Sequence, residues 1–267
     1  MALIEVSDAG FAWPRRAGAG REAFERVSFE VEQGELVAIL GPSGCGKSSL
    51  LQCTAGLEDL QRGSIRIDGG RPLLLFQDAY LLPWLTVEEN VLSGRTLASR
   101  RKTFSNDVSD ILSAIGMLEH RSLHPHELSG GMRQRAALGR ALANGASILL
   151  MDEPFSALDH LTRTRMGEFL LTVRETFGVT IVFVTHSVDE AAMLADRILM
   201  MSGSPGTIAQ RIEVDLPRPR GLADPDFNRL RGEILSSLAE TAAADPRARR
   251  PPSPPAPATV LWDPSRA

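Results

Sequence analysis

The run Gly41-Pro-Ser-Gly-Cys-Gly-Lys-Ser48 fills every position of the pattern G-x-x-x-x-G-K-[ST]. Its glycines let successive backbone N–H groups turn inward and converge on an anion. Lys47 then reaches the β- and γ-phosphates of a triphosphate, and Ser48 offers a hydroxyl oxygen to a hard cation such as Mg²⁺. A second group of reactive side chains closes the stretch "SILLMDEP", where an apolar run ends in Asp152 and Glu153. Asp152 suits holding Mg²⁺ through water, and Glu153, one step on, suits polarising an attacking water as a general base. A third stretch, "HELSGGMRQR" (126–135), sets Ser129, Gly130 and Gly131 just before a helical run. That arrangement suits an anion, yet no lysine follows to close a phosphate site. Each group has a plainer explanation when taken alone: a glycine-rich turn, or an acidic junction between strand and turn. The match of eight residues between a strand and a helix outweighs it.

These groups need a scaffold that brings them together. "ELVAIL" (35–40), "SILLMDE" (147–153), "TIVFVTH" (180–186) and "RILMMS" (197–202) are nearly continuous apolar runs. Strands buried on both faces read this way, which predicts a parallel sheet with ligands at its C-terminal edge. Helical stripes lie between them. Met166, Phe169, Leu170, Val173 and Phe177 form one, closed by Gly178; Val108, Ile111, Leu112 and Ile115 form another, closed by Gly116. Ser187-Val-Asp-Glu190 reads as a capping box that opens a third helix. The first 35 residues alternate more, as in "ERVSFEVEQGE", and predict an antiparallel β region.

The 267 residues, 43% hydrophobic and 23% charged, describe an ordinary globular chain. A net charge of −4 gives no general attraction to nucleic acid. No apolar run approaches the ~20 residues that cross a bilayer, the start has no secretory pattern, and two cysteines make no disulfide framework, so a reducing cytoplasm is expected. Within that chain Cys45 reads as a small spacer and Cys53 as a core residue. Ten of the 17 prolines follow Asp215. Residues 1–215 are patterned, whereas 216–267 predict one short helix after Pro225 (Phe227, Leu230, Ile234 and Leu238 on one face) and a disordered proline-rich tail. Arg247, Arg249 and Arg250 in that tail read as solvated charges. His124 and His126 offer a metal pair, but with no third ligand nearby a solvated loop is the better reading.

Over about residues 3–215 the ordered motifs resemble those of the ATP-binding cassette (ABC) ATPases. "LSGGM" (128–132) is similar to that family's signature motif, Gln77 in "LLLFQD" to its Q-loop glutamine, and Ser156-Ala-Leu-Asp159 to its D-loop. His186 in "VTHSVDEA" resembles the switch histidine that touches the γ-phosphate. Trp13 in "GFAWP" stands where the family has an aromatic stacked on adenine, with Phe11 the alternative. The implied fold is an α/β P-loop NTPase: a RecA-like parallel sheet with an N-terminal antiparallel β subdomain and an inserted α-helical subdomain over about residues 78–135.

The resemblance also implies that two cassettes pair head to tail, the signature of one closing over the nucleotide of the other. ATP would then bind Trp13 and the loop Gly41, Pro42, Ser43, Gly44, Cys45, Gly46, Lys47, Ser48 and Ser49 of one chain, with Ser129, Gly130 and Gly131 of its twin. Ser48, Gln77 and Asp152 would hold Mg²⁺, while Glu153, His186, Gln77 and Lys47 would carry the hydrolysis. Implied partners are a second copy, integral membrane permease subunits and, indirectly, a solute-binding protein outside the cell. Nucleic acid is not among them, and the place is the cytoplasmic face of the membrane. Tyr80, Leu81, Leu82, Pro83 and Trp84 would form the groove for the permease. Met132, where the family usually has Gln, together with "FQDAYLLPWLTVEENV" and "ADRILMMSGSPGTI", is similar to the nitrate, sulfonate and taurine importer group. A short connection between "SIRIDG" and Gln77 departs from the family pattern and implies a trimmed approach to the Q-loop. Two alternatives stand beside this reading. A soluble ABC ATPase acting as a mechanical switch on DNA or ribosomes would tend to carry a coiled-coil insertion or a second cassette, and neither is visible. A module that no longer hydrolyses ATP is disfavoured by the presence of Glu153, Gln77 and His186.

Overall fold

The computed structural model describes residues 2–14, 21–97, 107–156 and 158–244. The apolar runs form strands as their burial requires. β3 (Leu36–Leu40) and β7 (Thr180–Thr185) are buried at every position, and they lie parallel to each other and to β6 (Ile148–Asp152). β8 (Arg197–Gly203) joins β3 on its other side, also parallel. A further strand, β5 (Leu73–Leu75), extends the parallel set beyond β6.

The sheet is not parallel throughout. β8 turns straight back into β9 (Gly206–Glu213) as an antiparallel hairpin. β9 then meets the N-terminal region, where β1 (Ala2–Trp13), β2 (Arg21–Glu32) and β4 (Arg62–Ile67) pair antiparallel. The antiparallel strands predicted from alternation are therefore not a separate layer. Among the described residues they continue one nine-stranded sheet in the order β4-β1-β2-β9-β8-β3-β7-β6-β5. β2 and β9 share a single register pair, Phe24↔Gly206. Two apolar cores flank the sheet, one between β1–β2 and the helix after the phosphate loop, the other beneath the remaining helices.

The helices follow their stripes. α1 (Lys47–Thr54) springs directly from the glycine-rich loop. α5 (His160–Phe177) is opened by the Asp159 side chain, which accepts from the Thr162 N–H, and is closed by Gly178 at φ 62. α2 (Val87–Leu97), α3 (Val108–Ala114) and α4 (Gly130–Ala143) pack against one another around Val91, Ile111, Leu112, Ile115 and Leu142. A Cβ at Gly94 would fall 2.1 Å from the Arg140 carbonyl oxygen, so glycine is what lets α2 approach α4. α7 (Pro225–Ala244) is longer than its predicted turns, at 20 residues, and buries Phe227 and Ile234. The proline-rich run 245–258 and Arg247, Arg249 and Arg250 lie outside the described residues.

One predicted cap is only half made. In α6 (Val188–Leu194) the Ser187 hydroxyl accepts from the Glu190 N–H as a capping box requires. The return bond from Glu190 to the Ser187 N–H does not form. Glu190 takes the Thr185 hydroxyl instead, at 2.5 Å, and the Ser187 N–H donates to that same hydroxyl.

Candidate active site

The phosphate loop leaves β3 and returns into α1 with Gly44 at φ 84 and Gly46 at φ 92, a left-handed backbone that costs a side-chain-bearing residue ~1 kcal/mol or more. A Cβ at Gly46 would also sit 2.4 Å from the Ala23 carbonyl oxygen. The loop is thereby pressed onto β2, and Ser43, Gly44, Gly46, Lys47 and Ser48 line the cleft. Lys47 is 5% exposed, and its Nζ donates to the Gly41 and Pro42 carbonyls at 2.9 and 2.8 Å. Those acceptors are neutral, and no carboxylate among the described residues pairs with this buried cation at contact distance, which fits an anionic ligand. Cys45 turns its thiol inward at 2% exposure, and burial pushes that thiol above its ordinary range. It does not line the cleft. Cys53 is a core residue whose thiol burial raises to about 12.

The cleft in front of this loop is lined by Trp13, Arg21, Ser43, Lys47, Ser49 and Glu153 among others. The Trp13 indole N–H donates to the Ser49 hydroxyl at 3.1 Å, and its ring stands edge-on to Phe11 at 5.0 Å. Phe11 itself is 4% exposed and belongs to the core, so Trp13 is the aromatic that presents a face. Arg21 and Glu22 also line the cleft, and nothing in the sequence pattern marked them.

Ser48 donates to the Asp152 carboxylate at 2.9 Å. Burial raises the Asp152 carboxyl above the usual range; the Ser48 hydrogen bond opposes this, Glu153 adds to it, and Lys47 lowers it. A hydroxyl beside a carboxylate is an oxygen pair that suits a hard divalent cation. Strand register explains the next contact. Asp152 lies opposite Val184, the Glu153 N–H donates to the Val184 carbonyl at 3.0 Å, and β7 ends one residue later. The Glu153 carboxylate therefore meets His186 Nδ1 at 3.2 Å. Glu153 takes φ 45, a left-handed conformation uncommon for a non-glycine residue. Its carbonyl is held by both the N–H and the hydroxyl of Ser156.

Other predicted residues stand apart from this cluster. Gln77 follows β5, whose Leu75 is in register with Met151; its side chain is exposed and does not line the cleft, while its carbonyl accepts from Gln134 at 2.6 Å. The short connection before it thus still delivers Gln77 beside the acidic strand. Ser129, Gly130 and Gly131 open α4 and are likewise absent from the cleft lining. The exposed Ser129 caps its own helix, accepting from the Met132 N–H at 3.3 Å. Of the stretch 156–159, Ala157 lies outside the described residues. His124 and His126 stack at 5.9 Å, and no cluster of three metal-binding side chains occurs among the described residues. Phe76 and Tyr80 form an exposed aromatic patch, edge-on at 5.5 Å, and Trp84 is exposed four residues on; Tyr80 and Trp84 stand at 64% and 70%. Beneath the patch Arg140 donates to the Ala79 and Tyr80 carbonyls, and the buried Asn90 bonds Leu82, Leu85 and Thr86. No helix among the described residues is long and apolar enough to cross a membrane.

Comparison with known proteins places these features. The family described as ABC transporter matches residues 24–156. The chain is 42% identical over 224 residues to an aliphatic sulfonates import ATP-binding protein, SsuB 2, of Pseudomonas syringae pv. tomato, covering 84% of this chain and 95% of that protein. It is 41% identical over 235 residues to the bicarbonate transport ATP-binding protein CmpC of Synechocystis sp., covering 81% of this chain but 35% of that longer protein. Among solved structures, the dimeric post-hydrolysis state of the ATP-binding cassette MJ0796 bound to ADP and Pi matches with a TM-score of 0.67 at 28% identity, over 82% of this chain and 100% of that one. A phosphate loop under a buried lysine, an acidic strand end facing a histidine and a detached glycine-rich helix start are thus found together in a chain that belongs to the ABC transporter family, as one of its ATPases.

Proposed function

We propose that the chain is the ATP-hydrolysing subunit of an importer, working as a head-to-tail homodimer that drives solute uptake through separate membrane subunits. The observation that carries this reading is the detached second cradle. Ser129 is exposed at the start of α4, with Gly130 half-buried and Gly131 buried behind it, and none of the three lines the cleft that holds Lys47. A helix N-terminus facing solvent is an anion site in search of its anion. A second copy, turned head to tail, supplies it, and each site is then built from two chains.

Within one site, Lys47 and the loop amides neutralise the β- and γ-phosphates of ATP, and Trp13 gives the base a face. Ser48, Asp152 and Gln77 would hold Mg²⁺, which supplies charge stabilisation to the phosphates. Glu153 accepts a proton from water as the water oxygen bonds to the γ-phosphorus and the bond from that phosphorus to the bridging oxygen breaks. His186, held by Glu153, faces the transferred phosphoryl group. The protein's part is positioning and charge. The exposed aromatics Phe76, Tyr80 and Trp84, stiffened from below by Arg140 and Asn90, would dock permease subunits and keep the chain at the cytoplasmic face of the membrane. A solute-binding protein outside the cell would feed the permease, and nucleic acid has no part. The sulfonate-import and bicarbonate-transport proteins among its relatives support a small solute bearing an oxyanion group, of the nitrate, sulfonate or taurine kind.

Mixed dimers test the shared site. Lys47→Ala disables the cradle of one chain and Ser129→Arg the signature of the other, so a dimer of the two keeps one intact composite site. ATP turnover recovered on mixing the inactive variants is the expected result. Mixed dimers shown to form yet inert would refute the sharing.

A further inference from the structure

His186 stands in a turn with no ladder or helix of its own: β7 ends at Thr185 and α6 begins at Val188. The Thr185 hydroxyl organises that turn. It is 2% exposed, accepts from the Ser187 N–H at 3.0 Å and donates to the Glu190 carboxylate at 2.5 Å. The residues on both sides of His186 are drawn to one oxygen, and the imidazole is left to project outward, 57% exposed, toward Glu153. Glu190 is itself 9% exposed. Its second oxygen lies 3.4 Å from Arg163 Nε, and the same guanidinium donates through Nη2 to the Leu158 carbonyl at 2.9 Å. Leu158 immediately precedes Asp159, the cap of α5.

Burial works against a charged carboxylate here and raises the Glu190 carboxyl, with Thr185, Arg163 and His186 opposing and Glu153 adding. An apolar side chain would fill this place without that conflict, and the helix cap does not need the carboxylate, since its expected acceptor role toward Ser187 has gone to Thr185. What the carboxylate does instead is join two turns, the one bearing His186 and the one ending at Asp159.

We infer that Thr185, Glu190 and Arg163 are positioning residues: through the Thr185 hydroxyl they hold His186 against Glu153, and through Arg163 they tie that hold to the Leu158 carbonyl. None of the three lines the cleft; they act on turnover through His186. A displacement of the backbone at Leu158 shifts Arg163, Glu190 follows its ion pair, and the His186 turn follows Glu190. The inference rests on the reading of His186 as a group that faces the reacting phosphate.

The test is made on the full chain with Thr185→Val, which matches the shape and removes the hydroxyl, and Thr185→Ser, which keeps it. Steady-state ATP hydrolysis should show kcat of Thr185→Val down by about tenfold or more with KM within about twofold, since the group acts on the reacting geometry and not on ground-state binding. Thr185→Ser should recover kcat to within about twofold of the natural chain. In a His186→Ala background, Thr185→Val should cost nothing further by single-turnover rates, because both changes remove the same interaction. A lowered melting temperature with unchanged kcat in Thr185→Val overturns the inference, as does an equal loss with and without His186. Natural turnover in His186→Ala alone would instead sink the reading of His186, and this inference with it.

Discussion

Replacing Glu153 by glutamine separates chemistry from fold more cleanly than any other change at this site. The amide keeps the shape, and its oxygen still accepts from His186 Nδ1, now 3.2 Å from the carboxylate. Glu153 and His186 are 26% and 57% exposed. A polar contact so open to water contributes about 1 kcal/mol at most. For a chain of this length that amounts to a shift of about 2–4 °C in Tm. The left-handed backbone at φ 45 is held by Val184 and Ser156, which the substitution leaves alone. What an amide cannot do is take a proton from water. Loss of a general base lowers turnover by about 10²–10⁴, or about 3–5.5 kcal/mol of barrier. The two magnitudes differ severalfold, so the experiment has a clear contrast. Phosphate release should fall by two orders of magnitude or more, ATP binding by fluorescence titration should stay near that of the natural chain, and light scattering should show a dimer persisting in Mg-ATP. Turnover within about threefold of the natural chain would remove Glu153 from the role of base. A fall in Tm well beyond about 4 °C would mean the side chain serves the fold instead.

Two further outcomes follow from contacts at the two ends of the sheet that carries the site. Asp196 accepts from the Leu36 N–H at 2.9 Å and pairs with Arg174 and Arg218, each at 2.7 Å. Burial alone raises its carboxyl, but Leu36, Arg218 and Arg174 outweigh burial and hold it below the ordinary aspartate range. A carboxyl lowered by folding contributes stability above the unfolded pKa of about 4, and that stability is lost as pH falls through the folded value. Asp196→Asn should therefore cost about 2 kcal/mol at neutral pH. In calorimetry the deficit should shrink below about pH 4; a deficit that stays constant with pH would contradict the assignment. Gly206→Ala would put a methyl carbon 1.8 Å from the Cys45 carbonyl oxygen, inside the phosphate loop. The loop must move, and KM for ATP should rise by about tenfold or more in a substrate titration; an unchanged KM would show that the hairpin yields instead.

The sequence displayed the buried strands because a strand covered on both faces has no polar side to show, as in Val37–Leu40 and Ile181–Val184. It displayed the glycine-rich loop because left-handed backbone and close approach leave few alternatives to glycine at Gly44 and Gly46. It did not display β4 or β9. β4 is largely exposed and has only Ile65 and Ile67 as half-buried positions, and β9 is held by its hairpin with β8, so each carries too short a hydrophobic period to stand out. Gly206 escaped notice for a related reason: its need for glycine comes from a loop about 160 residues away in the chain, and no local pattern records such an approach. The bond from Glu190 to Thr185 was likewise hidden behind a spacing that matches a capping box, because spacing gives the reach of a side chain and not the partner that competes for it.

The seam between β2 and β9 has a mechanical meaning. The two halves of the sheet share apolar packing there, but Phe24↔Gly206 is their one rung. Beside that packing, Arg211 and Arg197 donate across to the Ser28 and Glu30 carbonyls of β2 at 2.6 and 2.8 Å, through long side chains that yield more than a backbone ladder would. The cleft draws Trp13 and Arg21 from one bank of this seam and Ser43 and Lys47 from the other. Bound as proposed, a nucleotide lying across it would act as a rivet, fastening with its base and phosphates two plates that the backbone barely stitches. Part of the stiffness of the loaded protein would therefore be lent by its fuel and returned when the products leave.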